Sequence, residues 1–508
     1  MRTLLASIRL LLAAPVSAQQ GNWPVRARPC RAWSGRLLAV IAFVIVAGAC
    51  GRGEPAEGAF DLVVRGGRVL DPESGLDAVR NLGIRAGTIA AISEGELTGA
   101  RVIDASGLVV APGFIDLHEH GQTEESYRLM VRDGVTSAFE LEVGTGDVAA
   151  WYAAREGGQI VNYGVSVGHI PVRMAVLGDP GIGTGLLPTG IGGSGAATSA
   201  QIEEMATRLE RGLAEGAVAV GFGSAYTPGA AMPELERLFG VAAAAGASVH
   251  IHMRNGVAGL DSTIAIAKVT GVKLHIVHVN SSGGPATRVF VEHIAAARAA
   301  GQDVTTEAYP YEAGMTEIAS ALYDDWQAWA DSEFTRVQWV ETGERLTRES
   351  FARYRAQGGT LIHHVRTVQM TRDAITSPLV MIASDGFIQN GRGHPRTSGT
   401  YAKMLGTYVR DERSVELMEA IRRMTLEPAR RLEARVPAMA AKGRINVGAD
   451  ADLTVFDPAT VQDRATYEDA TIPSAGIPWV IVNGTVVVDA GQWVDGARPG
   501  RAIRAPTQ

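Results

Sequence analysis

Four apolar segments in the middle of this chain each carry, at or near their end, a residue that can bind a metal ion. They are residues 110–120 (VAPGFIDLHEH), 249–254 (VHIHMR), 274–278 (LHIVH) and 380–385 (VMIASD). In a β-strand, residues i and i+2 point to the same face, so His118 and His120 can reach one ion where their strand ends. The recurrence of this pattern predicts strands whose ends meet at a shared metal site.

The middle of the chain, about residues 111–440, alternates apolar strands with alanine-rich helical stretches, which is typical of an α/β fold. Strands are expected to end near His118, Glu142, His169, Gly223, His252, His278, Tyr309 and Asp385. Eight strands fit a TIM-type (β/α)8 barrel, in which the active site lies at the carboxyl ends of the strands. The interval from 309 to 385 is too long for one helix, so residues 313–360 are expected to form an inserted subdomain.

Both flanks of this region, residues 59–110 and 441–504, consist of short apolar runs separated by Gly and Asp, which is typical of hairpins in a small sheet. Asn483 and Gly484 between two apolar runs are a hairpin signal. The two flanks are expected to pair into one discontinuous β-sandwich built from both chain ends. The alternative is two unrelated β modules.

The first 50 residues differ from the rest, since they contain six arginines and no acidic residue. An apolar run from Leu37 to Ala49 has about the length of a signal-peptide core and ends at Cys50, as in a bacterial lipobox. Residues 1–50 are therefore expected to be a signal peptide and lipoprotein leader, and residues 51–58 a tether. This predicts a protein of the bacterial cell envelope, lipid-anchored or periplasmic. An uncleaved membrane anchor is the alternative.

The net charge of the chain restricts the kinds of partner that it is expected to bind. The chain carries a net charge of −7, and removal of the arginine-rich leader would make it more negative. Such a protein has no electrostatic attraction to nucleic acid. The expected partner is a small-molecule substrate, with membrane contact only through the leader or a lipid anchor.

The metal ligands can be assigned from strand position. His252 and His278 end two strands of the same expected barrel as His118 and His120. Imidazole ligands favour Zn²⁺, and one or two ions are expected.

A second ion needs a bridging anion. Two acids stand in the apolar segment 134–144 (GVTSAFELEVG), where burial is costly unless an acid is paired or bound to metal. Glu142 is nearer the strand end and is expected to bridge, with Glu140 deeper; His250 and His275 are expected to support the ligands or pack.

Asp385 ends the last expected strand and is the candidate general acid and base. Zinc lowers the pKa of a bound water to about 7. Asp385 would take the proton of that water and later deliver one to the leaving nitrogen.

The chain resembles the amidohydrolase superfamily and, within it, the D-aminoacylase (N-acyl-D-amino-acid deacylase) family. The resemblance covers nearly everything after residue 60 and rests on a set of short motifs: HMR at 252–254, AYPY at 308–311, SDG at 384–386, HPR at 394–396, GTY at 399–401, LG at 405–406, ADADLTVFDPAT at 449–460 and GARPGR at 496–501. It implies zinc-dependent hydrolysis of the amide of an N-acyl-D-amino acid. It also implies that His252 and His278 bind the tighter ion, that His118 and His120 bind the second, and that Asp385 is the acid/base.

The same resemblance implies that Arg396 and one of Tyr309 and Tyr311 hold the substrate carboxylate. The family commonly has a lysine two residues after the sixth-strand histidine, and here that residue is Asn280. Arg254 or Arg288 could compensate for the missing cation.

Two further departures concern the bridge between the metals. The family usually has a zinc-binding cysteine on the second strand, whereas residues 134–144 contain two glutamates and no cysteine. Other members of the superfamily use a carboxylated lysine on the fourth strand, but the chain has no lysine between residues 120 and 252. The leading hypothesis is therefore an N-acyl amino acid amidohydrolase. The alternatives are a cyclic-amide or dipeptide hydrolase of the same superfamily and a non-catalytic surface binding lipoprotein.

Overall fold

The structure is a computed structural model that describes residues 59–179, 181, 186–254 and 256–507. The expected leader, with Cys50, and the expected tether lie outside the described residues, so lipidation and envelope localisation stay predictions. Among the described residues, no helix has the length and apolarity needed to cross a membrane.

The N-terminal part of the described chain is a set of β-strands rich in valine and isoleucine. Its strands are β1 (Phe60–Asp71), β2 (Leu76–Arg85), β3 (Thr88–Ser93), β4 (Gly99–Asp104) and β5 (Val109–Pro112). β1 lies at the centre, since it pairs antiparallel with β2 and parallel with β4 and β5. β3 continues the antiparallel pairing beyond β2.

Seven parallel strands follow and form most of a barrel wall. They are β6 (Phe114–Asp116), β7 (Val135–Thr145), β8 (Asn162–Gly168), β9 (Val220–Gly223), β10 (Ser248–His252), β11 (Lys273–Ile276) and β12 (Val304–Ala308). Each strand pairs with the next in chain order. Because all seven run in one direction, their carboxyl ends lie at the same rim of the barrel.

Helices connect these strands. They are α1 (Glu124–Arg132), α2 (Val148–Ala153), α3 (His169–Leu177), α4 (Ile191–Ser194), α5 (Ser199–Ala214), α6 (Met232–Ala244), α7 (Val257–Thr270), α8 (Val279–Gly283) and α9 (Thr287–Ala299), with a 3-10 turn at Gly284–Ala286. Their starts carry recognisable signals: Thr198 and Gln201 form a capping box at the start of α5. Their apolar faces pack with the strands in one large core.

A small antiparallel sheet follows β12, at the place where an insertion is expected. It contains β13 (Gly314–Glu317), β14 (Val337–Trp339) and β15 (Thr360–His363), with 3-10 turns Ala321–Tyr323 and Trp326–Ala328 and helices α10 (Asp331–Phe334) and α11 (Arg348–Gln357). This insertion has its own apolar cluster, formed by Ile318, Tyr323, Phe334, Val337, Trp339, Leu346, Phe351 and Leu361. It therefore packs around an interior distinct from the barrel core.

The eighth barrel strand comes after the insertion and almost closes the barrel. The chain runs through α12 (Val368–Ile375), β16 (Val380–Ile382), the short hairpin β17 (Ile388–Gln389) and β18 (Arg392–Gly393), α13 (Arg396–Lys403), a π-helix (Met404–Asp411), α14 (Leu417–Met424), α15 (Leu426–Glu433) and a 3-10 turn (Pro437–Ala441). β16 pairs with β12. The backbone N–H of Asp385 donates to the His118 carbonyl (2.6 Å) and that of His120 to the Gly386 carbonyl (2.7 Å), which joins the last and first strands at the carboxyl rim.

The C-terminal strands return to the N-terminal sheet. They are β19 (Leu453–Phe456), β20 (Trp479–Val482), β21 (Thr485–Asp489) and β22 (Gln492–Trp493). β19 pairs antiparallel with β5, so the two chain ends share one nine-stranded sheet. The expected hairpin is present: Asn483 and Gly484 turn between β20 and β21 with φ of 46° and 78°, the left-handed backbone that Asn and Gly tolerate.

The predicted fold class, a (β/α)8 barrel with a small discontinuous β-sandwich built from both chain ends, is confirmed, and the strands of both ends share one nine-stranded sheet. The strands end within a few residues of the expected positions, and the alternative of two unrelated terminal modules is wrong, because one apolar cluster contains residues of both ends, such as Val69 and Leu453.

Candidate active site and metal centre

Six of the predicted site residues lie at the carboxyl rim of the barrel. Their positions relative to the strands are as follows: His118 and His120 follow β6, Glu142 lies in β7, His252 ends β10, His278 follows β11 and Asp385 follows β16. Two of them have an unusual backbone, since φ is 34° at His278 and 52° at Asp385. This left-handed conformation is uncommon for non-glycine residues, and at buried positions such backbone strain collects at functional sites.

Four of these side chains face one point. The Nε2 atom of His118 lies 3.1 Å from Nε2 of His120 and 2.9 Å from Oε2 of Glu142, and the distance from His120 Nε2 to that oxygen is 3.2 Å. Oδ1 of Asp385 lies 3.5 Å from His118 Nε2 and 3.4 Å from His120 Nε2. Ligands at zinc distances of 2.0–2.1 Å in a tetrahedron stand about 3.3 Å apart. The donor set and its spacing therefore fit a zinc ion.

A second group shares Glu142 with the first. It consists of Glu142, His252 and His278, whose donor atoms all lie within 4.8 Å of one another. Oε1 of Glu142 lies 3.1 Å from Nδ1 of His252, whereas Oε2 faces the other two histidines. The carboxylate therefore offers one oxygen to each group, as a bridge between two ions requires.

Two further carboxylates orient the histidines of the first group. Oε1 of Glu307 lies 2.5 Å from Nδ1 of His118, and Oε2 of Glu140 lies 2.6 Å from Nδ1 of His120. A neutral histidine that donates its Nδ1 hydrogen to a carboxylate keeps a lone pair at Nε2, which is the arrangement of a metal-binding histidine. Glu140 thus orients His120, and the second oxygen of Glu307 lies 3.0 Å from Nε2 of His275.

Burial and charge set the protonation states of three groups around the site, His278, Asp385 and Glu307. Burial and the neighbouring His252 lower the pKa of His278 to about 3, which leaves its imidazole neutral. Burial alone would raise the pKa of Asp385, but Arg396 and His118 hold it below its usual range, so the carboxyl is ionised. Burial opposes ionisation of Glu307 too, yet His118 and His275 lower its pKa to about 2.

The metal-binding face opens into a cavity of about 340 Å³ between the barrel rim and the insertion. Part of the cavity wall is apolar and aromatic, from Leu186, Leu187, Leu322, Tyr323 and Trp329. The polar part near the expected metal ligands includes Ser281, Tyr309, Arg366, Asp385 and Arg396. The cavity has the mixed lining typical of a small-molecule site.

The structure brings only two of the five predicted substrate-binding residues to this cavity, namely Tyr309 and Arg396. Tyr311 instead donates its hydroxyl to Asp463 (3.0 Å). The other two, Arg254 and Asn280, are not among the described lining residues: Arg254 donates to the carbonyl of Ala230, and Asn280 donates to the carbonyl of Tyr309 (2.9 Å).

Arg396 is only 1% exposed, and its Nη1 atom lies 2.8 Å from Oδ2 of Asp385. Its guanidinium also lies 4.5 Å from the centre of the Tyr309 ring. Arg396 therefore acts on the charge of Asp385 directly, in addition to any contact with a substrate.

Sequence reasoning missed Glu307 and Arg366. Glu307 is an acid inside the largely buried strand β12, which is a signal like the one that identified Glu140 and Glu142. Arg366 follows β15 of the insertion, and no sequence pattern places that segment against the barrel rim.

Replacement of Glu307 by glutamine is expected to weaken zinc binding or kcat/KM by about 10–100-fold, the usual effect of a residue that orients a metal-binding histidine. Titration of metal-free protein with zinc measures the affinity. Thr305→Val is the control, since the Thr305 hydroxyl contacts Nδ1 of His275 (2.8 Å) and the Leu274 carbonyl (3.5 Å), neither of which belongs to an expected metal ligand. Its zinc affinity should change by less than a few-fold. An unchanged affinity in Glu307→Gln would mean that His118 is held without Glu307.

Comparisons with known proteins agree with this site. Residues 101–488 match the Amidohydrolase family. The N-acyl-D-glutamate deacylase of Alcaligenes xylosoxydans xylosoxydans is 32% identical over 506 aligned residues, which cover 88% of this chain and 96% of that protein.

Solved structures give the same result. The N-acyl-D-glutamate deacylase of Bordetella bronchiseptica, complexed with zinc and a phosphonate mimic of the tetrahedral intermediate, is 28% identical with a TM-score of 0.77, and the match covers 88% of this chain and all of that chain. A D-aminoacylase structure described for the role of its binuclear metal centre is 27% identical with a TM-score of 0.72 and the same coverage.

Fold, site and comparisons define a metal-dependent hydrolase of carbon–nitrogen bonds other than peptide bonds. The chain belongs to the amidohydrolase family, among the D-aminoacylases, as its motifs predicted.

Proposed function

We propose that this protein is a zinc-dependent amidohydrolase that cleaves the linear amide of an N-acyl-D-amino acid. The observation that carries the proposal is the pair of donor groups that share Glu142 and open into the cavity. The relatives support the substrate class, since they are deacylases of N-acyl-D-glutamate and an aminoacylase of D-amino acids. The products are a carboxylate and a D-amino acid.

His118, His120, Glu142, His252 and His278 would hold the metal, with Glu142 between the two positions. When bound, zinc would polarise the amide carbonyl and make water a better nucleophile. The four histidines and the bridge would supply imidazole nitrogen and carboxylate oxygen donors, a set that suits zinc.

Asp385 would move the protons. Its Oδ1 atom lies 3.4–3.5 Å from the Nε2 atoms of His118 and His120, at the edge of the first donor group. The carboxylate is ionised, because Arg396 stabilises its charge, so it can accept a proton from the attacking water. The protonated carboxyl then donates to the amide nitrogen as the carbon–nitrogen bond breaks, and the leaving group departs as a neutral amine.

The test is hydrolysis of matched substrates by the purified protein. We expect one to two zinc ions per chain and faster release of acetate from N-acetyl-D-leucine or N-acetyl-D-glutamate than from N-acetyl-L-leucine. Removal of metal by a chelator should abolish activity, and added zinc should restore it, since the ion supplies both the activated water and the polarised carbonyl. Zinc content below half an equivalent in metal-replete protein would contradict the metal assignment. Hydrolysis of cyclic amides or dipeptides in place of all three substrates would contradict the substrate class.

A further inference from the structure

A second cavity, of about 350 Å³, lies between the π-helix, the loop that follows it and the end of β19. It is about as large as the metal-binding cavity, and the two share no lining residue within the described part of the chain. Its floor is apolar and buried, since Leu405, Phe456 and Val461 are each at most 1% exposed. A cavity of this size and lining can take the apolar part of a small molecule.

Two opposite charges stand at the mouth of the second cavity. Arg413 and Glu416 both line it, and both are exposed. Among the described residues, neither side chain has a partner in an ion pair or a hydrogen bond. The third charged lining residue, Arg410, is already engaged: its Nε atom donates to Oδ1 of Asp411 (2.7 Å), and its Nη1 atom donates to the Val461 carbonyl. A cation and an anion three residues apart therefore remain available to one ligand.

The backbone at Arg413 is unusual. Its φ is 53°, in the left-handed region, two residues after the π-helix ends. A chain that leaves a helix in this conformation usually carries Gly or Asn there, because other side chains crowd the backbone. The adjoining π-helix is also uncommon, and such segments are frequent at functional sites. Both features favour a function for the Arg413 side chain at the second cavity.

We propose that the second cavity binds a free amino acid with an apolar side chain, the class to which the amine product of the reaction belongs. The link to the product rests on the proposed function. The guanidinium of Arg413 binds the carboxylate of the amino acid, and the carboxylate of Glu416 binds its ammonium group, both through charge-assisted hydrogen bonds. The apolar floor removes the side chain of the amino acid from water.

The two charges distinguish the product from the substrate. An N-acyl amino acid keeps the carboxylate that Arg413 binds, but its amide nitrogen has no charge for Glu416. Hydrolysis frees the amine, which takes up a proton in neutral solution, so the product matches both residues. The second cavity therefore binds the amino acid after its release, whereas the metal-binding cavity takes the acylated form.

Calorimetry with D-leucine tests this inference. The Asp385→Asn protein is first saturated with N-acetyl-D-leucine, which fills the metal-binding cavity without turnover. We expect one equivalent of D-leucine to bind to this complex. D-leucinamide lacks the carboxylate and 4-methylpentanoate lacks the ammonium group, so each should bind at least about 5-fold more weakly, the effect of one charged contact at a partly exposed site.

Substitutions locate the binding. Arg413→Asn and Glu416→Gln each remove one charge and should each weaken D-leucine binding by at least about 5-fold. Because asparagine tolerates the left-handed backbone, the melting temperature of Arg413→Asn should not fall. Arg464→Asn is the matched control, since Arg464 is exposed but is not among the described lining residues, and its affinity for D-leucine should not change. All three variants should keep kcat for N-acetyl-D-leucine within a few-fold, since none of these residues lines the metal-binding cavity.

D-leucine affinity that survives both substitutions would overturn the inference, as would the absence of a bound equivalent of D-leucine. Equal affinity for D-leucine and 4-methylpentanoate would also overturn it, because the second cavity would then bind carboxylates without regard to the ammonium group. If the two substitutions weaken binding but no N-acyl amino acid is hydrolysed, the amino acid site stands and the proposed function fails.

Discussion

Replacing Asp385 by asparagine is expected to lower kcat by about 10²–10⁴-fold while zinc content changes little, because the amide keeps the shape of the side chain but cannot carry the proton. The carboxylate lies at the edge of the donor group, whereas His118, His120 and Glu142 remain to hold the ion. Steady-state kinetics with N-acetyl-D-leucine and elemental analysis of the same preparation measure both quantities.

The control for this substitution is Asp325→Asn, since Asp325 also lines the cavity but is exposed. Its activity should stay within a few-fold of the unmodified protein. The substitution at Asp385 also leaves Arg396 without its ion pair, so a melting temperature has to show that the variant is folded. A folded Asp385→Asn protein with most of its activity would show that another group moves the proton.

The expected metal ligands could be predicted from the sequence because the strands of the barrel all run in the same direction. A parallel barrel brings the carboxyl ends of all its strands to one rim, so a strand that ends in histidine places that histidine near the others whatever its number in the chain. His252 and His278 could be matched with His118 and His120 on this ground alone. The structure places all four histidines at the carboxyl rim, two in each donor group.

Contacts across the barrel were harder to predict. Oε1 of Glu307 lies 2.5 Å from Nδ1 of His118, although 189 residues separate them in the chain, and only the closed barrel defines that pairing. Which of Glu140 and Glu142 is shared by the two donor groups was also hard to predict. The pairing of β7 with β8 is irregular between Glu140 and Thr145, so the simple alternation of a strand does not fix where the second acid points.

The substrate side of the cavity was the least predictable part. Motif resemblance named Tyr311, Arg254 and Asn280, which the structure engages in contacts elsewhere. Arg366, one of the two arginines among the described lining residues of the cavity, belongs to an insertion with its own apolar cluster. Because the insertion packs around its own apolar cluster, the side chain that it places against the barrel rim depends on tertiary structure. No local sequence pattern predicts that side chain.

Replacing Glu142 by glutamine is expected to have the largest effect on the metal centre. Glu142 belongs to both donor groups, and its two oxygens face different histidines. Glutamine removes the negative charge that both ions would share and is a poorer ligand, so zinc content should fall by at least half. Since a metal ion supplies several kcal/mol of transition-state stabilisation, kcat/KM should fall by about 10³-fold or more.

Glu140→Gln is the matched substitution, two residues earlier in the same strand. Glu140 contacts Nδ1 of His120, the nitrogen that faces away from the donor group, and also accepts from the backbone N–H of Val143 (3.0 Å). A residue that only orients a ligand should cost about 10–100-fold in metal affinity. Zinc content of the two variants after dialysis against the same buffered zinc concentration therefore distinguishes a bridge from a support. If Glu140→Gln loses the metal and Glu142→Gln keeps it, the two glutamates have exchanged roles, and the shared-carboxylate geometry does not describe the loaded enzyme.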